Sequence, residues 1–112
     1  PGRFELRLPD GAANPYLLQA VIIAAGLNGV RSRANPGKRL DNNMYAEGYK
    51  VADAPTLPLN LLDAIRAYDD DKSLKSTLGD EFSNAYIKLK TQEWNAYASH
   101  FSIWESQNTL DI

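Results

Sequence analysis

Between Pro15 and Asn28 the sequence carries only Gln19 and Asn28 as conventionally polar residues, and this run constrains the fold more than any other feature. Asn14 ahead of Pro15 is a helix start, because asparagine caps free amides and proline is tolerated at the first helical position. Asn28-Gly29 supplies a stop, so the predicted helix covers Pro15 to Leu27. Apolar residues then occupy nearly its whole circumference, and such a helix must be covered on all sides. It is too short to span a bilayer. A chain of 112 residues is one domain at most, and a chain of this size buries only about two-thirds of its unfolded surface. Either its two neighbouring helices wrap this one, or the cover belongs to a further segment of a longer chain or to another subunit.

Ahead of this helix, Arg3 to Leu8 alternate strictly, with Phe4, Leu6 and Leu8 on one side and Arg3, Glu5 and Arg7 on the other. That is the period of a half-buried strand, ended by Pro9-Asp10-Gly11. The alternation begins at Arg3 with no leader, cap or tail before it, as expected of a chain cut from a longer one. Arg31 to Pro58 is rich in Asn, Gly, Pro and charge, without sustained periodicity, and reads as a long surface loop. A second helix is predicted over Leu59 to Tyr68, with Leu61, Leu62, Ile65 and Tyr68 as its buried stripe. A short helical turn over Lys72 to Leu78, ended by Gly79, follows. The longest helix is predicted from Glu81 to Trp104, with Asp80 as cap and Phe82, Tyr86, Leu89, Tyr97 and Trp104 near one face. The tail from Ser106 to Ile112 reads as irregular. The expected class is a mainly α fragment of three main helices plus a short helical turn, with one N-terminal β-strand.

Composition narrows function. A net charge of -2 gives no general attraction for nucleic acid or anionic lipid. With no cysteine there is no disulfide framework, no Cys-based zinc site and no thiol redox chemistry. No basic-then-apolar leader opens the sequence and no run approaches a spanning helix, so a soluble, cytoplasmic protein without nucleic-acid or membrane partners is the expectation.

The strongest candidate for chemistry is the row Arg3, Glu5, Arg7. Period-two spacing sets these three on one strand face, roughly 6.6 Å apart at the backbone. A carboxylate between two guanidinium groups suits a metal-bound polyphosphate: the carboxylate holds a divalent cation and the arginines neutralise phosphate oxygens. The same row also reads as a solvated face of self-paired charges, worth little energetically. The basic cluster Arg31, Arg33, Lys38 and Arg39 has no interleaved aromatic residues and reads as a solvated loop. His100, the single histidine, has no carboxylate at helical ligand spacing and reads as a packed or hydrogen-bonded structural residue. Gly-rich nucleotide loops and nucleophile triads are absent.

The run Arg3-Phe4-Glu5-Leu6-Arg7-Leu8-Pro9-Asp10-Gly11-Ala12-Ala13-Asn14-Pro15-Tyr16-Leu17 and the helix ending Ala25-Gly26-Leu27-Asn28-Gly29-Val30 closely resemble the corresponding motifs of glutamine synthetases. Looser similarity continues through Asn35-Pro36-Gly37 and Asn43-Met44-Tyr45 to the last helix, covering essentially the whole chain. Leu57 to Ala64 and Lys88 to Trp94 resemble the rhizobial and cyanobacterial type III group.

The resemblance implies that residues 1–112 are the C-terminal portion of an α/β (α+β) catalytic domain. It places Glu5 on a divalent-cation ligand (Mg2+ or Mn2+), Arg3 on an ATP-phosphate contact, and Arg7 on the catalytic arginine serving glutamate and the transferring phosphoryl group. The implied activity is ATP-dependent formation of glutamine from glutamate and ammonia through γ-glutamyl phosphate, in a homo-oligomer, with this piece alone inactive. A non-catalytic helical interaction module and a related γ-glutamyl amide ligase using another amine are the competing readings. Tyr45 falls where some bacterial members are adenylylated, but Ala46-Glu47-Gly48-Tyr49 departs from the acidic, proline-bearing stretch that follows there, which favours an ordinary loop tyrosine.

Overall fold

The structure, a computed structural model, describes residues 2–51 and 55–109. It divides into two compact units, Pro1 to Pro55 and Thr56 to Ile112.

In the first unit, α1 spans Pro15–Arg31. The Asn14 side chain accepts hydrogen bonds from the Tyr16 and Leu17 amides at 3.0 and 3.1 Å, so its start lies where the Asn-Pro pair predicts. Its end lies four residues beyond the expected Leu27. The chain leaves the helix through Arg33, held at a φ of 52°. The Arg33 amide donates to the Val30 carbonyl at 3.2 Å and the Ala34 amide to the Gly29 carbonyl at 2.9 Å. This pair of bonds is the Schellman closure, which satisfies carbonyls that a helix end otherwise leaves open. Asn28 and Gly29 therefore lie inside the last turn, and the left-handed position that usually falls to glycine is taken by an arginine.

Ala24 is buried on α1, and Leu17, Leu18, Val21 and Ile22 are half-buried. Tyr16, Ala20, Ile23, Leu27 and Val30 are exposed, and their 4-3-4-3 spacing makes one continuous apolar stripe. Within its own unit α1 packs against neither α2, spanning Met44–Glu47, nor the 3-10 turn Gly48–Lys50 that follows. Among the described residues of its own unit, no helix packs on this stripe.

The expected strand is not formed. Among the described residues, Arg3 to Leu8 have no ladder partner, and Phe4, Leu6 and Leu8 are exposed along with the charged side. The physical reason is that extended backbone becomes sheet only when a neighbouring segment accepts its amides and carbonyls, and none is at hand. The predicted loop from Arg31 to Pro58 contains α2 and the 3-10 turn, with Asn43 accepting the Tyr45 amide at 3.1 Å. Its residues 52–54 lie outside the described residues.

The second unit carries α3 (Leu61–Asp70), α4 (Lys72–Leu78), α5 (Asp80–Ala98) and α6 (Ile103–Asn108). Asn60 caps α3 through the Asp63 amide at 2.9 Å, so α3 begins two residues later than predicted. Leu61, Leu62, Ile65 and Tyr68 face inward as expected, and burial of Ile65 contributes about 1.5–3 kcal/mol. Asp71 links α3 to α4 and caps the latter through the Leu74 amide at 2.9 Å. Gly79 links α4 to α5 at a φ of 93° and ψ of 139°, backbone that a side chain would oppose. Gly79, not Asp80, occupies the cap position of α5, and no side chain caps that end.

The α3, α4 and α5 helices pack on one another in all three pairs. The inward face of α5 is Ser83, Tyr86, Ile87, Lys90 and Trp94, whereas Leu89, Tyr97 and Trp104 of the predicted face are exposed. Ser83 sets that register: its small side chain, 0% exposed, lets α5 approach α3 and α4. The long helix also breaks after Ala98. Ser102 and Glu105 cap each other's backbone amides at 3.1 and 2.7 Å, a capping box that starts α6 as a separate helix. His100 lies between the two helices and is exposed, not packed. Of the tail predicted as irregular, residues up to Asn108 are helical and residues 110–112 lie outside the described ones.

Candidate functional site

Arg3, Glu5 and Arg7 sit in the segment before α1, all exposed. The structure brings two of them together: Arg7 Nε donates to Glu5 Oε1 at 2.6 Å. The pair is a local contact between side chains two residues apart on a segment that forms no strand, the self-paired arrangement of a solvated face. Arg3 makes no ion pair among the described residues. The arrangement offers one carboxylate and two guanidinium groups on a segment open to solvent.

That donor set suits a divalent cation only in part. A carboxylate oxygen is the right hard donor for Mg2+ or Mn2+, and Glu5 keeps its second oxygen outside the Arg7 bond. Yet among the described residues no three metal-ligating side chains come together. Glu5 fits as one ligand of a site whose remaining ligands would come from elsewhere.

Tyr45 stands on the first turn of α2 with its side chain fully exposed, at 102% of the reference area. In the basic cluster, Arg39 pairs with Asp41 at 2.6 Å, as a solvated loop would arrange it. In the second unit, a cleft of about 370 Å³ is lined by Asn60, Leu61, Glu93, Trp94 and Tyr97. Its one carboxylate is engaged by Lys90 at 2.6 Å, and the same bond raises the pKa of Lys90. A second cleft, of about 310 Å³, places His100 near Ser102 and Glu105, whose carboxyl is held below its usual range by hydrogen bonds from the Ser102 amide and hydroxyl. Neither cleft offers clustered cations for a polyphosphate. No helix among the described residues is long and apolar enough to cross a membrane.

Comparison with known proteins bears on the whole chain. Residues 1–109 match the family described as glutamine synthetase, catalytic domain. The chain is 70% identical to a glutamine synthetase of Rhizobium leguminosarum bv. phaseoli and 67% identical to one of Rhizobium meliloti (strain 1021), in each case over 100% of its own length. It is 40% identical, over 99% of its length, to a glutamate–methylamine ligase of Methyloversatilis universalis. It spans 26% of the length of each of these relatives. Among solved structures, one described as apo GmaS without ligand superposes with a TM-score of 0.89 at 52% identity, over 96% of this chain and 25% of that one. A match running through the charged segment, α1 and all the later helices leaves one assignment: the chain belongs to the glutamine synthetase family and corresponds to part of its catalytic domain.

Proposed function

We propose that residues 1–112 are the C-terminal portion of the catalytic domain of an ATP-dependent glutamate–ammonia ligase, which forms glutamine through γ-glutamyl phosphate. The observation that carries this reading is the match of residues 1–109 to the glutamine synthetase catalytic-domain family, which runs through the segment that holds Arg3, Glu5 and Arg7. Moving a phosphoryl group to a carboxylate concentrates negative charge, and catalysis rests on cations placed before the reaction begins. Arg3 contacts ATP phosphate, Arg7 holds glutamate and the phosphoryl group, and Glu5 contributes one ligand to a divalent cation. Bound there, Mg2+ or Mn2+ would neutralise phosphate oxygens. The chain alone is inactive, because it offers a single carboxylate ligand and spans about a quarter of its relatives' length. The working enzyme is a cytoplasmic homo-oligomer, and the uncovered stripe of α1 supports a need for further cover.

The test is Glu5→Gln in the longer protein that contains this chain. Metal-dependent glutamine formation is expected to fall about 100-fold or more while the assembly remains intact. Full activity of that variant would remove Glu5 from the site and favour a non-catalytic interaction module. Glutamine formation by the 112-residue chain alone would show that the site is assembled elsewhere.

The 40% identity to a glutamate–methylamine ligase supports a second reading, a γ-glutamyl amide ligase that takes another amine. Phosphate release by the longer protein with ammonia against methylamine separates the two, since only the acceptor differs.

A further inference from the structure

We draw no further inference here: the strongest candidate, the cleft between α3 and α5 walled by Trp94 and Tyr97, is an open apolar face whose one carboxylate, Glu93, is already bonded to Lys90, and nothing in the structure shows what covers it.

Discussion

The Tyr68 hydroxyl lies 2.8 Å from Ser83 Oγ, sharing a hydrogen bond that joins α3 to α5. Ser83 is 0% exposed, and its hydroxyl also reaches the Lys75 carbonyl of α4 at 3.4 Å. One small polar side chain therefore meets three helices, and its size sets how closely they approach.

Enlarging Ser83 should cost more than removing the Tyr68 hydroxyl bonded to it. Ser83→Leu forces extra methylenes into a filled contact and is expected to destabilise the helical unit by about 1–3 kcal/mol. Tyr68→Phe removes one hydrogen bond and leaves the weaker Lys75 contact, at about 0.5–1.5 kcal/mol. Urea unfolding followed by circular dichroism measures both, and a Ser83→Leu variant as stable as the parent would disprove the close approach.

Arg33 occupies a left-handed position that favours glycine. Arg33→Gly relieves that strain but increases the freedom of the unfolded chain, and the two effects oppose. The net gain is expected to be about 0.5–1 kcal/mol, read as a higher urea midpoint for the loss of helical circular dichroism. Arg33→Val, β-branched and averse to this conformation, should lower it. An unchanged midpoint in both variants would mean that residue 33 is not left-handed in solution.

How much was legible in the sequence depended on whether a signal was local. Asn14-Pro15 marked the start of α1, and Lys72 to Leu78 with its closing glycine was read to the residue, because caps and turns act over three or four positions. The break in the last long helix was equally local: Ser102-Ile103-Trp104-Glu105 is a capping-box spelling, overlooked because apolar periodicity continued past it. The inward face of α5 was not local. Leu89 looks like core by residue type, but Ser83 determines the register by being small and paired with Tyr68, a fact visible only once α3 and α5 are side by side. The strand at Arg3 to Leu8 failed for the same reason, since pairing is a property of two segments. At the candidate site the sequence left two arrangements of Arg3, Glu5 and Arg7 open, a cation-and-phosphate row or a self-paired face, and the coordinates show Glu5 and Arg7 paired with each other.

The capping box predicts a pH response confined to α6. Ser102 donates to the Glu105 carboxylate from its backbone amide, and this bond is the main cause of the lowered Glu105 pKa. A carboxyl whose folded pKa lies below its unfolded value stabilises the fold fully above the unfolded value, and that contribution is lost as pH falls through the folded one. Acidification through and below the ordinary carboxylate range should therefore shift the Ser102 amide resonance and fray α6, while α3 to α5 keep their amide dispersion. Glu105→Gln retains an acceptor and removes the titration, so its Ser102 resonance should stay constant over the same window. A titrating Ser102 amide in that variant would assign the response to another group.

The 4-3-4-3 stripe of α1 makes the isolated chain prone to self-association. Tyr16, Ala20, Ile23, Leu27 and Val30 present a seam of the kind that pairs helices, and among the described residues of their own unit no helix packs on it. The chain is therefore expected to form dimers or larger species, with a weight-average mass that rises with concentration in sedimentation equilibrium. Ile23→Glu with Leu27→Lys places charges on the middle of the stripe, one turn apart, where they support the helix as an i,i+4 pair but oppose burial. This double variant should sediment as a monomer with unchanged helical content. Persistent association in the double variant would move the contact elsewhere on the chain, the exposed apolar side chains of Phe4, Leu6 and Leu8 being the next surface to alter. In the longer protein the same two substitutions should prevent folding, because there the stripe is expected to be covered, and the contrast between a better-behaved fragment and a lost parent is what a buried docking face requires.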